Sequence, residues 1–96
     1  MAITLRSRRE IELMRKAGVV VAGVLSKLQE IATAGMTTAV LDAIATEMTV
    51  RVGAEPLFKG VRTPYAKMAF PSAICASLNE QVVHGIPSDQ VVLKDG

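Results

Sequence analysis

The stretch Phe70–Pro87 gathers most of the residue types in this chain that could do chemistry. It holds the chain's one cysteine, Cys75, and its one histidine, His84. It also holds the Asn79-Glu80 pair between two apolar runs, and a His84-Gly85 turn closed by Pro87. A metal site takes three or four ligands from Cys, His, Asp and Glu. Cys75 and His84 would need help from Glu80 and Asp89, and none of these residues stands at a standard ligand spacing, so a self-contained metal site is not expected. A Cys75–His84 nucleophilic dyad requires the thiol within hydrogen-bond reach of the imidazole. Cys75 lies in an apolar run, where a free cysteine is more often a small buried hydrophobe. His84 precedes a glycine in a turn and can project into a cleft, although a lone histidine is more often structural. Both readings stand at this point. The glycines do not have the spacing of a phosphate-binding loop, and there is no Gly-x-Ser-x-Gly elbow.

The elements that must position these residues are legible upstream. Ser7-Arg8-Arg9-Glu10 fits a capping box, in which hydroxyl and carboxylate each take the other residue's amide proton. A first helix is predicted to begin there. Ile11, Met14, Gly18, Val21, Leu25, Leu28 and Ile31 or Ala32 continue it as an apolar stripe at three- and four-residue spacing. Glu12 and Lys16 stand in the favourable order for an ion pair. Gly18 and Gly23 are tolerable if another backbone packs closely against them. The helix is predicted to fade at Thr33-Ala34-Gly35, with Gly35 in the left-handed terminating conformation.

Gly35-Met36-Thr37-Thr38 then feeds a second helix, with either threonine as N-cap and Asp42 placed to suit the dipole. Val40 or Leu41, Ile44, Met48 and Val52 form its predicted buried side, and Gly53 its end. The short connection implies an antiparallel helix pair. Short strands are predicted in the runs 73–78, 81–83 and 91–93, with an edge strand or extended connection at 55–60 and a loop over 60–71. Helices first and strands after them define an α+β chain. Lys94-Asp95-Gly96 carries an Asp-Gly hairpin signal behind an apolar run. Such a turn needs a strand on its far side, so the 96 residues are expected to be the front part of a longer protein.

Composition narrows the class. Half of the 96 residues are apolar, enough for one domain with a sizeable core. Eleven basic against nine acidic residues leave a net charge of +2, too small to imply nucleic acid. Arg6, Arg8, Arg9, Arg15 and Lys16 make the N-terminal end basic. That is most simply a solvated helix face, and no aromatic side chains interleave to stack on bases. A single cysteine forms no internal disulfide. The longest apolar run, residues 17–25, is about half a membrane span and follows a stretch too polar for a signal peptide. A soluble cytoplasmic protein is the expectation.

Phe70–Pro87 resembles the type I methionine aminopeptidases. Their pattern Cys-x-Ser-x-Asn-Glu-x-Val-x-His-Gly-Ile-Pro is met here by Cys75, Ser77, Asn79, Glu80, Val82, His84, Gly85, Ile86 and Pro87. Ile11–Gly18, Gly35–Thr38 with Leu41-Asp42, and Leu93–Gly96 are similar to further parts of that family. The resemblance covers essentially the whole chain. It implies the α+β pita-bread (creatinase/aminopeptidase) fold, with two similar halves enclosing a pair of divalent metal ions (Co, Mn, Fe or Zn). Residues 1–96 would be the N-terminal portion of a single catalytic domain, truncated after Gly96. The implied activity is removal of the initiator methionine from nascent polypeptides when the next residue is small.

On this resemblance His84 is the substrate-contacting histidine, and Cys75 and Phe70 line the pocket for the methionine side chain. Asn79 offers its amide oxygen to an accessory monovalent cation. The family's five metal ligands lie beyond Gly96, and Asp42, Asp89 and Asp95 do not match them, so the 96 residues alone are expected neither to bind divalent metal tightly nor to hydrolyse peptides. Val61–Ala69 departs from the family, and Tyr65 and Phe70 are expected to supply the aromatic character found there in other members. The expected partner is the N-terminal methionine of a nascent peptide, with the ribosome surface as a further candidate and neither membrane nor specific nucleic acid. The competing reading is a non-catalytic truncated module that binds another chain or the ribosome through an open sheet edge or the basic helix.

Overall fold

Ser7 starts the first helix, α1 (Arg8–Ile31), as its spacing predicts. In the computed structural model, which describes residues 2–64 and 66–96, the Glu10 amide donates to Ser7 Oγ at 3.1 Å. The Ser7 amide donates to Glu10 Oε1 at 2.9 Å. The Ser7 amide foremost, then the Ser7 hydroxyl and Arg6, holds the Glu10 carboxyl below the usual glutamate range. Glu12 pairs one turn along with Arg15 at 3.4 Å rather than with Lys16.

The buried side of α1 differs from the predicted stripe. Val24 is buried and Val20, Leu28 and Ile31 are half-buried, whereas Met14, Val21 and Leu25 are exposed. Leu28 and Ile31 lie on the packed face as predicted, whereas Val20 and Val24 take the places expected of Val21 and Leu25. The reason is that α2 is the helix α1 meets, and the burial falls in the half of α1 nearest the connection. Nothing lies within 4 Å of a Cβ built on Gly18 or Gly23, so no close backbone approach accounts for them.

The second helix, α2, spans Thr38–Arg51, with the Thr37 hydroxyl accepting from the Val40 amide at 3.3 Å. Gly53 ends it as predicted. At φ +77° its amide bonds to the Val50 carbonyl at 2.9 Å and the Ala54 amide to the Thr49 carbonyl at 3.1 Å. Those two bonds define a Schellman termination, whose left-handed residue glycine fills without a Cβ penalty. α1 closes differently. Its C-cap, Ala32, is extended, and Gly35, at φ +94°, turns the chain three residues later.

α2 is partly covered around much of its circumference. Thr38 and Ala45 are each 1% exposed, and Leu41, Asp42, Ile44, Thr46, Met48 and Thr49 are half-buried. Val40 and Val52, both offered as buried, are exposed. Asp42 lies past the first turn and serves no dipole there.

The predicted strands are the main correction. Among the described residues there is no strand, and pairing is limited to one antiparallel bridge between Thr37 and Val92. Residues 91–93 spend their backbone groups on the interhelix connection. The Gly35 amide donates to Leu93 O, the Leu93 amide to Met36 O and the Thr38 amide to Val91 O, at 2.8–3.0 Å. A ladder cannot continue from Thr37 because Thr38 is already helical. Residues 73–78 and 84–86 run past each other with one backbone bond, Ala76 amide to Gly85 carbonyl at 2.8 Å. A single such bond makes contact without making a sheet.

Candidate functional site

The segment after α2 folds back on itself between Phe58 and Phe70. The Gly60 amide donates to Phe70 O and the Phe70 amide to Val61 O, both at 2.8 Å. These bonds close the neck of the loop that the sequence predicts between Gly60 and Pro71. Tyr65, expected to supply aromatic character to the pocket, lies outside the described residues.

Against this neck lies the wall formed by residues 73–86. Between them is a cleft of about 440 Å³, a size suited to one side chain and its flanking peptide. Phe70, Cys75 and His84, the three residues assigned to substrate, all line it. Phe58, Val61, Met68 and Ile86 make the rest of its surface largely apolar, and Lys67 adds a cation. Of these five, Val61, Lys67 and Met68 fall in the 61–69 loop that the resemblance sets near the pocket and Ile86 in the patterned stretch, whereas nothing in the sequence reading points to Phe58. The available signal was that the chain has only two phenylalanines, and both face the same cleft. The sequence predicts an edge strand or extended connection around Phe58.

Several constraints place the wall. The Asp42 carboxylate accepts from the Ala73 amide at 2.8 Å and the Ile74 amide at 3.2 Å. Past Cys75, the Ala76 amide bonds to Gly85 O at 2.8 Å. The Gly85 amide in turn donates to Ser77 Oγ at 2.9 Å. Further on, Ser88 is held by buried Thr38. The Ser88 amide donates to Thr38 Oγ1 at 2.8 Å, and that hydroxyl donates to the Ser88 carbonyl at 3.2 Å.

His84 stands in the left-handed region at φ 60°, uncommon for a residue with a Cβ. Such conformations persist where surrounding bonds over-determine them, and here the Gly85 bonds do so. The His84 side chain is exposed and Cys75 is half-buried. Asn79 is not among the cleft-lining residues. It is exposed, with φ 52°, on a turn closed by the Gln81 amide to Leu78 O at 2.9 Å.

The wall can do two things chemically. Its apolar lining with a polarizable thiol suits a thioether or other unbranched side chain. The imidazole beside that lining can hydrogen-bond a peptide group or stabilise charge developing on it. Metal chemistry has no home in the described residues, where no three His, Cys, Asp or Glu side chains converge to hold an ion. Asp42 spends one carboxylate oxygen on two amides. The residues present do not fit a divalent metal pair. Among the described residues no helix is long and apolar enough to cross a membrane.

The cleft is thus a largely apolar side-chain site with an imidazole beside it, carried by a loop wall pinned to a helix. Residues 12–96 match the family model for metallopeptidase family M24, and the chain belongs to that family. Its curated relatives include the methionine aminopeptidase of Aquifex aeolicus, 44% identical over 96 residues, covering all of this chain and 37% of the relative. The methionine aminopeptidase of Clostridium acetobutylicum is 43% identical over 94 residues, 98% of this chain and 35% of the relative. Methionine aminopeptidase 1 of Bacillus subtilis is 40% identical over 94 residues, again 98% and 35%. The chain thus spans about a third of the length of these relatives.

Proposed function

We propose that residues 1–96 are the N-terminal portion of a methionine aminopeptidase catalytic domain, and that the complete protein removes the initiator methionine from nascent polypeptides. The observation that carries this reading is the convergence of Phe70, Cys75 and His84 on one largely apolar cleft. Those three residues are assigned to substrate from the family pattern, and the cleft's chemistry is the chemistry a methionine side chain needs. The relatives' names and family membership support the same activity.

In this reading Phe70 and Cys75 contact the thioether chain, the thiol through its polarizable sulfur and the ring through its edge. His84 hydrogen-bonds the scissile peptide and stabilises charge as it builds there. Asn79, displayed on its turn, is the candidate ligand of an accessory monovalent cation in the complete protein. The divalent metal pair belongs to residues outside this stretch, and this stretch binds and orients the substrate.

His84→Ala in the complete protein tests the assignment. Turnover of a methionyl-alanyl peptide is expected to fall by roughly a hundredfold or more, with divalent metal content unchanged by atomic emission. Near-normal turnover would remove His84 from the reaction. Loss of metal along with activity would make its role structural.

A further inference from the structure

We propose that Asp42 is a positioning residue of the cleft: its carboxylate sets the wall segment 73–76 on α2, and through that segment it fixes Cys75 and His84 relative to each other. The proposal rests on the substrate reading above and adds to it a residue outside the cleft lining. Asp42 Oδ1 takes both the Ala73 amide (2.8 Å) and the Ile74 amide (3.2 Å), from residues 31 and 32 positions away. Cys75 is the next residue. The residue after it bonds back to Gly85, the neighbour of His84, at 2.8 Å. Between the Asp42 anchor and the Gly85 bond there is therefore only Cys75. A shift of the anchored amides passes to the thiol and then, across one hydrogen bond, to the backbone that aims the imidazole.

Other roles for this carboxylate fail on the geometry. Asp42 lies past the first turn of α2. It makes no salt bridge among the described residues, and no group of three metal-ligating side chains forms there that could include it. What remains is a half-buried acceptor with two donors. Two main-chain amides held at one point suit an anchor. A single oxygen takes both amides, so the requirement is for an acceptor at that point. An asparagine amide oxygen can supply it, and an alanine cannot.

The test compares Asp42→Ala and Asp42→Asn in the complete protein, with three measurements. These are steady-state kinetics on a methionyl-alanyl peptide, amide hydrogen exchange at Ala73 and Ile74, and iodoacetamide labelling of Cys75 followed by peptide mass spectrometry. In Asp42→Ala, exchange protection of the two amides is expected to fall about tenfold. KM should rise about tenfold with kcat changed less than about threefold, and labelling of Cys75 should change in rate. Asp42→Asn is expected to restore all three to within about threefold of wild type. Unchanged KM and protection in Asp42→Ala would overturn the proposal, and so would an Asn variant as damaged as the Ala variant. Should Asp42→Ala not fold, Asp42→Glu carries the test by displacing the oxygen one methylene. Lost protection at Ala73 and Ile74 supports the anchor, and retained protection overturns it. A wild-type protein that cleaves no methionyl peptide would defeat the substrate reading alone, because exchange and labelling still decide the anchor.

Discussion

Backbone crowding at one position decides where the imidazole goes. A Cβ built on Gly85 would lie 2.7 Å from the Ala76 carbonyl carbon and 2.8 Å from Ser77 Cα, closer than a real Cβ comes to any atom. Both neighbours are main chain, so no side-chain rotation relieves the contact. The lack of a Cβ is what lets the 84–86 segment approach 76–77 closely enough for the Ala76–Gly85 and Gly85–Ser77 bonds. Those bonds then hold His84 at φ 60°, a conformation that costs about 1–2 kcal/mol for a residue with a Cβ. Gly85→Ala is accordingly expected to destabilise the complete protein by about 1–3 kcal/mol in urea unfolding. It should also reduce kcat/KM for a methionyl peptide by displacing the imidazole. Retention of both values would mean that the two segments part at no cost.

At the scale of elements, α2 organises the site although it contributes no residue to the cleft lining. It holds the wall directly through Asp42 on residues 73 and 74, and the chain just beyond the wall through Thr38 on residue 88. Thr38 is 1% exposed, and its hydroxyl both accepts from and donates to Ser88. Thr38→Val keeps the shape and removes the acceptor of the Ser88 amide. An unsatisfied buried donor costs about 1–3 kcal/mol. That loss is expected in denaturant unfolding of the complete protein, with Thr38→Ser recovering most of it. A valine variant as stable as wild type would show that Ser88 finds another partner.

The same bonds explain which elements could be read beforehand. The cap at Ser7 and the stop at Gly53 arise from residues within one turn of each other, so their spacing carries the information. Asp42 could be read only as a helix-dipole residue because its partners are more than thirty positions away. The predicted strands failed for a related reason. Alternation marks a segment able to pair, but a ladder also needs a partner whose groups are free, and residues 91–93 find the 35–38 turn instead. The cleft was half legible. Phe70, Cys75 and His84 lie within the patterned stretch, whereas Phe58, Val61 and Met68 arrive through the hydrogen-bonded neck at Phe70.

For the whole molecule, composition promises more core than these residues form. Half the chain is apolar, yet Val24 and Ala45 are the buried hydrophobic residues among those described. Met14, Val21 and Leu25 recur along α1 at helical spacing while 56–61% exposed. A contiguous apolar stripe left in water is unusual for a monomeric protein and marks a surface that packs against something. In the proposed complete protein, nearly two-thirds of the chain lies outside these residues and is available to cover it, judged by the length of the relatives. Leu25→Gln separates the cases, because burying a leucine side chain contributes about 1.5–3 kcal/mol relative to leaving it exposed. If the stripe is covered, the substitution is expected to lower the unfolding free energy of the complete protein by at least that much, since it also buries an amide. Val83→Gln, on the exposed segment just before His84, provides a comparison outside α1. A Leu25→Gln variant within about 0.5 kcal/mol of wild type, the range of ordinary surface changes, would show that α1 keeps this face open to water in the complete protein.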